Sequence, residues 1–405
     1  MPVSLPQVQS LHEILPDEPL LMMGAGPVPI PDRVSAANGI VINHLGETMA
    51  KVVDQVKTMG RYIFQTESPW LLGVAGPGSA AMEMAVINLV TPGCKVLSIC
   101  NGFFSGRLAE MASRVGADVE LLHCADGESA DPEQVVEAIR RFRPRVLTLV
   151  QGETSNTTCN YRLPEIAKAA SEYDCLVVVD AVCTLSTMPL LMDEWQVDAV
   201  ITGGQKGLSC IPGVSLVAFS EQAWRHIENR DQPVSHWTLD AKLATNFWHK
   251  ASYHYTAPVS GLLALHEAMR LVCDETLEKR FDRHLACSQS LQAAIERLGL
   301  QLHVPEAARL NSVVGIGLPQ GLEAAHVCAH ISQYYRVEIA GSFGPNIVRV
   351  GQMGEQCRVH NLFRALHALG STFKDLGANV DLPASMAELE NQLQQHKRSD
   401  LQLHR

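Results

Sequence analysis

The sequence predicts an α/β protein: a mainly parallel central sheet flanked by helices, with a smaller C-terminal α+β domain. Three observations point there. Six short apolar runs, at residues 95–100, 119–123, 146–150, 176–180, 199–202 and 214–219, alternate with amphipathic segments as successive βα units do. Two of them, 176–180 and 199–202, are apolar almost throughout, the pattern of strands covered on both faces. A chain of 405 residues that is 46% hydrophobic and 19% charged has enough apolar sequence for a sizeable core.

In chain order, residues 1–20 read as a Pro-containing, extended N-terminal arm, and a glycine-rich turn follows at Gly24-Ala25-Gly26-Pro27. A large domain spans residues 21–260. Two of its helices start recognisably, at Asp131-Pro132-Glu133 and at Leu163-Pro164-Glu165, each with proline in the first turn. A long amphipathic stretch makes 261–299 a linking helix. The small domain, 300–405, has strand patterns at 313–316, 337–339 and 347–350. It closes on a helical tail with Met386, Leu389 and Leu393 on one face.

Composition excludes several function classes. A net charge of -11 argues against nucleic acid, whose non-specific binding rests on Lys and Arg. No apolar run approaches a membrane span. The first 32 residues contain no Lys or Arg, as a secretory or transit leader would require. Eleven cysteines, with no Cys-x-x-Cys pair, read as small hydrophobes of a reducing compartment. The expectation is a cytoplasmic protein without a metal site.

The chemistry sits at strand ends. Leu176-Val177-Val178-Val179-Asp180 and Ile201-Thr202-Gly203-Gly204-Gln205-Lys206 each close an apolar run with a charge, where open α/β sheets build their sites. Pyridoxal phosphate (PLP) uses such a pair: a lysine carries it as a Schiff base, and an acid keeps its pyridine nitrogen protonated. A helix-capping Asp and a loop Lys are the plainer reading of the same residues. Gly76-Pro77-Gly78-Ser79, ahead of a helix pattern, is suited to a phosphate at a helix N-terminus, or is a simple turn. Asn101-Gly102-Phe103-Phe104 offers an aromatic to stack on a ring, or two core phenylalanines. Gly152-Glu153-Thr154-Ser155 offers hydroxyls to a cofactor, or a cap. Arg349, alone among apolar residues in Ile347-Val348-Arg349-Val350-Gly351, suits bidentate capture of a substrate carboxylate, or a structural ion pair.

Taken together, and with Asp180-Ala181-Val182 and Tyr253-His254-Tyr255-Thr256-Ala257-Pro258, these motifs resemble the class V aminotransferases of PLP fold type I from about residue 21 to 369. Within that family the chain looks most like the alanine–glyoxylate and serine–glyoxylate (or pyruvate) enzymes. The resemblance implies that Lys206 carries PLP, Asp180 pairs with the ring nitrogen beside Val182, and Phe104 stacks on the ring. It implies that Thr154 contacts the cofactor, and that Gly76, Pro77, Gly78, Ser79 and Gln205 surround the phosphate. Tyr253 and Thr256 would reach the phosphate from the neighbouring subunit, which makes the expected state a homodimer with shared active sites. Arg349 and the backbone near Gly26 would hold the substrate carboxylate.

Four positions depart from the family pattern: Phe104 stands for Trp, Ala25 for Pro, Ser79 for His and Gly204 for Ser. The expected reaction is transfer of an amino group from alanine or serine to glyoxylate or pyruvate. A ureidoglycine–glyoxylate aminotransferase is the alternative, since Gly341-Ser342-Phe343-Gly344-Pro345 resembles it; that group has Gln and Asn where this chain has His44 and Tyr253. A PLP lyase or cysteine desulfurase requires a nucleophilic cysteine that residues 340–349 lack, and a non-catalytic relative has no need of Lys206, Asp180 and Arg349 together.

Overall fold

The computed structural model of the chain describes residues 3–403. At its centre lie seven strands: β1 (Leu71–Ala75), β2 (Lys95–Cys100), β3 (Asp118–His123), β4 (Val146–Val150), β5 (Leu176–Asp180), β6 (Ala199–Gly203) and β7 (Val214–Phe219). Their spatial order is β1-β7-β6-β5-β4-β2-β3. Pairing is parallel from β3 through β2, β4 and β5 to β6. β7 runs antiparallel to both β6 and β1. Residues 204–213 are too short a connection for a parallel crossover, so the chain can only turn back. Two reversals cancel, and β1 ends on the same edge of the sheet as β6. The carboxyl ends of β1, β2, β4, β5 and β6 therefore face one cleft.

β1 was not expected from the sequence. Gly73 interrupts its apolar run, and the structure supplies the reason for the glycine. A Cβ there would collide with the indole of Trp248, whose Nε1 donates to the Gly73 carbonyl at 2.9 Å.

Helices α1 (Glu47–Phe64), α2 (Gly78–Leu89), α3 (Phe103–Arg114), α4 (Pro132–Phe142) and α5 (Leu163–Ser171) accompany the sheet. α4 starts as its sequence suggests, with Asp131 accepting from the Glu133 N–H and proline at the first position. The linking stretch is two helices, α6 (Val259–Glu275) and α7 (Leu277–Arg297), separated by Thr276 at φ 67°. In the C-terminal part α8 (Ala324–Tyr335), α9 (Val359–Asp375) and α10 (Leu382–Leu403) pack with an antiparallel sheet. That sheet consists of β8 (Val313–Gly317), β9 (Ala340–Gly341) and β10 (Ile347–Gly351), in the order β8-β10-β9.

The apolar run at 337–339 does not join that sheet. Val337–Glu338 instead pairs in parallel with Leu21–Met22, and Met23 is fully buried in the C-terminal core. The N-terminal arm contains one helical turn, Leu11–Ile14, with a Ser10/Glu13 capping box.

Two apolar cores result. Leu97, Leu147, Val177, Val179, Val200 and Leu216 lie fully buried in the central one. Ile316, Val348, Leu366, Phe373 and Leu389 lie fully buried in the C-terminal one. Among the described residues no helix is long and apolar enough to cross a membrane.

Candidate active site

Asp180 is the last residue of β5, in register with Val150 of β4 and Ile201 of β6. Its Oδ1 accepts from the Val182 N–H at 2.8 Å; its second oxygen has no hydrogen-bond partner among the described residues, and the side chain lines the cleft. Burial pushes its carboxyl up to about 7. The Val182 N–H, Lys206 and Arg107 oppose this rise and Glu153 adds to it.

Lys206 lies three residues past the end of β6. Its Nζ donates to the Ala25 carbonyl and forms no ion pair among the described residues. Burial holds this amine below the ordinary lysine range, Arg349 lowers it further, and Cys183 and Asp180 pull it up. Gly26 is what lets the Gly24–Pro27 turn come so close. It has φ 97°, and a Cβ there would stand 2.5 Å from Lys206 Nζ and 2.7 Å from its Cδ.

The cleft has a volume of about 660 Å³ including its open mouth, and is lined by Gly78, Ser79, Phe104, Thr154, Asp180, Val182, Gln205 and Lys206 among others. Eight residues chosen from sequence thus meet in one space. Gly78 opens α2, and a Cβ on it would lie 2.8 Å from Val182 Cγ2. A Cβ on Gly203 would lie 2.8 Å from Gln205 Oε1 and 3.2 Å from the Gly78 nitrogen. Among the described residues the side-chain amide of Gln205 has no hydrogen-bond partner, and its Oε1 is buried. A bare backbone cradle, an unpartnered amide, a buried carboxylate with one free oxygen and an unpaired lysine fit PLP, with its phosphate, cationic ring nitrogen and aldehyde.

The other expected residues lie around this cleft or away from it. Gly76, at φ 128°, and Pro77 shape the turn before α2 without lining the cleft; the Gly76 N–H donates to the Gly213 carbonyl at 3.0 Å. Arg349 on β10 is buried. Its Nε donates to the Gly341 carbonyl at 2.7 Å and its Nη1 to the Thr154 carbonyl, the guanidinium carbon lies 5.6 Å from the Phe343 ring centroid, and among the described residues its Nη2 has no hydrogen-bond acceptor. Burial lowers its guanidinium to about 10. Tyr253 and Thr256 are exposed and do not line their own chain's cleft; Tyr253 meets His44 edge-on at 5.9 Å.

Three neighbours escaped the sequence reading. Glu153 is fully buried and caps α3: its Oε2 accepts from the N–H groups of Phe104 at 3.0 Å and Ser105 at 2.9 Å. A cap supplied from 48 residues away has no local signature. Cys183 lines the cleft, its Sγ donating to the Gly152 carbonyl at 3.1 Å, and burial pushes its thiol up to about 12. Arg107, one turn after Phe104, also lines the cleft. Position i+3 on the helix carrying Phe104 was the available clue. Among the described residues no cluster of His, Cys, Asp and Glu is arranged to hold a metal ion.

Comparison with known proteins places this geometry in context. Residues 33–364 match the family model for class-V aminotransferases. The alanine–glyoxylate aminotransferase of Oryctolagus cuniculus is 34% identical over 358 residues, covering 86% of this chain and 91% of that protein. The crystal structure of ureidoglycine–glyoxylate aminotransferase from Bacillus subtilis superposes with a TM-score of 0.91 at 30% identity, covering 94% of this chain and 99% of that one. That of an alanine–glyoxylate aminotransferase from Nostoc sp. gives a TM-score of 0.87 at 32% identity, covering 92% and 100%.

Proposed function

Because the chain belongs to the class V aminotransferases, we propose that it is a PLP-dependent transaminase moving the amino group of a small L-amino acid, alanine or serine, to glyoxylate or pyruvate in two half-reactions. The observation that carries this reading is Lys206. It is a half-buried lysine whose amine is held by a carbonyl instead of a carboxylate, and it shares a cleft with a buried carboxylate that has one oxygen free. Bound PLP supplies an electron-withdrawing ring that acidifies the substrate's Cα–H.

Lys206 would hold the cofactor through its amine and would serve as the group that carries the Cα proton away and returns it. Its lowered pKa suits both directions of that transfer. Asp180 would pair with the ring nitrogen through its free oxygen and keep it protonated. Arg349 takes the substrate carboxylate on its free Nη2, against a guanidinium already oriented by Gly341 and Thr154. Phe104 and Val182 would flank the ring, while Gly76, Pro77, Gly78, Ser79, Thr154 and Gln205 would surround the rest of the cofactor.

The test is to mix PLP-loaded protein with single L-amino acids and follow the absorbance change from the pyridoxal to the pyridoxamine form. Conversion by alanine or serine, reversed by glyoxylate or pyruvate, is expected. Persulfide from L-cysteine in place of that conversion would make the protein a desulfurase. Ureidoglycine stays as a second donor to assay, because the neighbour with TM-score 0.91 acts on it. The pairing of His44 with Tyr253, where that resemblance has Gln and Asn, favours the simpler amino acids.

Arg349→Lys is expected to lower kcat/KM for the amino donor by about 10–100-fold, since the second directed hydrogen bond to the carboxylate is lost. The loss should fall on KM, with PLP binding unchanged. Weaker PLP binding in that variant would assign Arg349 to the cofactor instead.

The active unit in this reading is a homodimer in which each cleft borrows Tyr253 and Thr256 from the other subunit. Their exposure, away from their own chain's cleft, supports it. Mixing an inactive Lys206→Ala chain with an inactive Tyr253→Ala/Thr256→Ala chain should restore one of two sites, up to about half the wild-type activity per mixed dimer. No recovery after demonstrated subunit exchange would show that the loop serves its own chain. The same reading takes 1–20, 21–260, 261–299 and 300–405 as arm, large domain, linker and small domain. It places the enzyme in the cytoplasm, which the eleven free thiols support.

A further inference from the structure

Every side chain so far assigned to the cofactor's phosphate is neutral: Ser79, Gln205, Tyr253 and Thr256. A phosphate ester carries about -1.5 to -2 charges at neutral pH, and placing it in a half-enclosed cleft without a counter-charge is costly. One cation touches this cradle. Arg107 Nη1 donates to Ser79 Oγ at 2.8 Å, and the guanidinium carbon lies 5.0 Å from the centroid of the Phe104 ring and 5.1 Å from that of Phe103.

Arg107 forms no ion pair among the described residues, and its other N–H groups have no protein acceptor. Packing on two aromatic rings accounts for the guanidinium plane, and the Asp180 carboxylate of the same cleft is within its electrostatic reach, but neither supplies an acceptor to the N–H groups left over beside a helix N-terminus. The Gln205 amide, lining the same cleft, is also unpartnered. Turning that amide over presents its NH₂ in place of Oε1, an exchange of two groups of nearly equal size. The neutral cradle, the cation hydrogen-bonded to it and the unpartnered amide are together suited to one anion.

We infer that Arg107 is the counter-charge of the cofactor phosphate, held in place by Ser79 and by the rings of Phe103 and Phe104. The inference rests on the PLP reading above and adds to it a positively charged phosphate ligand supplied by α3. In this chain Ser79 stands where the family commonly has His, and the serine hydroxyl accepts the arginine's hydrogen bond.

The test compares PLP with pyridoxal, which lacks the phosphate, on full-length protein stripped of cofactor. Binding is titrated by absorbance and by quenching of intrinsic fluorescence. Arg107→Gln should weaken PLP about 10–100-fold, the range of one charge-assisted hydrogen bond, and change pyridoxal less than about 3-fold. Arg107→Lys should recover most of the loss, and Ser79→Ala should shift PLP in the same direction by less. Inorganic phosphate should compete with PLP on the wild type and lose that competition in Arg107→Gln.

Equal weakening of both ligands would make Arg107 a packing residue and overturn the inference. So would unchanged PLP affinity together with a loss confined to dicarboxylic amino donors, which would assign the cation to substrate. Failure of the wild type to bind PLP at all would instead overturn the underlying reading. If Arg107→Gln does not fold, the Lys and Ser79→Ala variants decide.

Discussion

Lys206→Ala is expected to remove amino transfer almost completely, by a factor of at least about 10⁴, because in the proposed function one side chain supplies both the covalent tether and the proton carrier. Nothing nearby can replace it. Cys183 is the thiol that lines the same cleft, and burial pushes its pKa up to about 12, which keeps it protonated. The next cations, Arg349 and Arg107, carry guanidinium groups that do not release protons at working pH. Cofactor binding should survive in part, since the Gly78–Ser79 cradle, Gln205 and Asp180 do not depend on Lys206.

The void left by the side chain borders Gly26 and the Ala25 carbonyl, and a small primary amine is of a size to enter it. Added methylamine should therefore restore a measurable fraction of single-turnover proton transfer, read as a first-order rate rising with amine concentration. Near-normal turnover in the variant, without added amine, would remove Lys206 from the mechanism.

Asp180→Asn should act in opposite directions on catalysis and stability. Without an anion beside it the ring nitrogen loses its proton, and Cα–H removal should slow by about 10³-fold or more. Asp180→Glu keeps charge and loses geometry, so it should fall between. In the cofactor-free protein the carboxylate is a liability. Its pKa stands at about 7 in the fold against an ordinary 3.8, chiefly through burial.

A folded-state pKa above the unfolded one means that stability is fully present below the unfolded value and is lost as pH rises to the folded value. The penalty therefore grows from about pH 4 and is complete above about pH 7. A shift of roughly three units corresponds to at most about 4 kcal/mol. Asp180→Asn should raise the Tm of the cofactor-free protein at pH 8 and leave it nearly unchanged at pH 4. A Tm difference independent of pH would show that this carboxylate is not what the fold strains to bury. PLP binding should erase the difference, because a protonated ring nitrogen beside Asp180 restores the missing partner.

Several parts of this site were legible in the linear chain, for identifiable reasons. A strand buried on both faces has to be apolar throughout, so a charge closing such a run stands out, and Asp180 and Lys206 did. Gly26 and Gly78 sit where side chains converge so closely that a Cβ has no room. Arg349 was conspicuous as one cation in an alternating strand, now paired with Gly315 and Ala340. β1, by contrast, is a strand because Trp248 covers Gly73 and β7 lies beside it, and neither fact is local.

What the sequence by itself determined is therefore the class of fold and the charged ends of the apolar runs at Asp180 and Lys206, because local periodicity and the exclusion of charge from apolar runs are written in adjacent positions. Tertiary structure alone decided which of those ends meet. The reversal at β7 brings β1 and its Gly76–Ser79 turn to the edge that Asp180 and Lys206 occupy. It also set the protonation tendencies of Asp180 and Lys206, the capping of α3 by Glu153 and the contact of Arg107 with Ser79. Each of these arises between residues far apart in the chain. Burial and electrostatic energy depend on distances through space, and only the packed sheet establishes those distances.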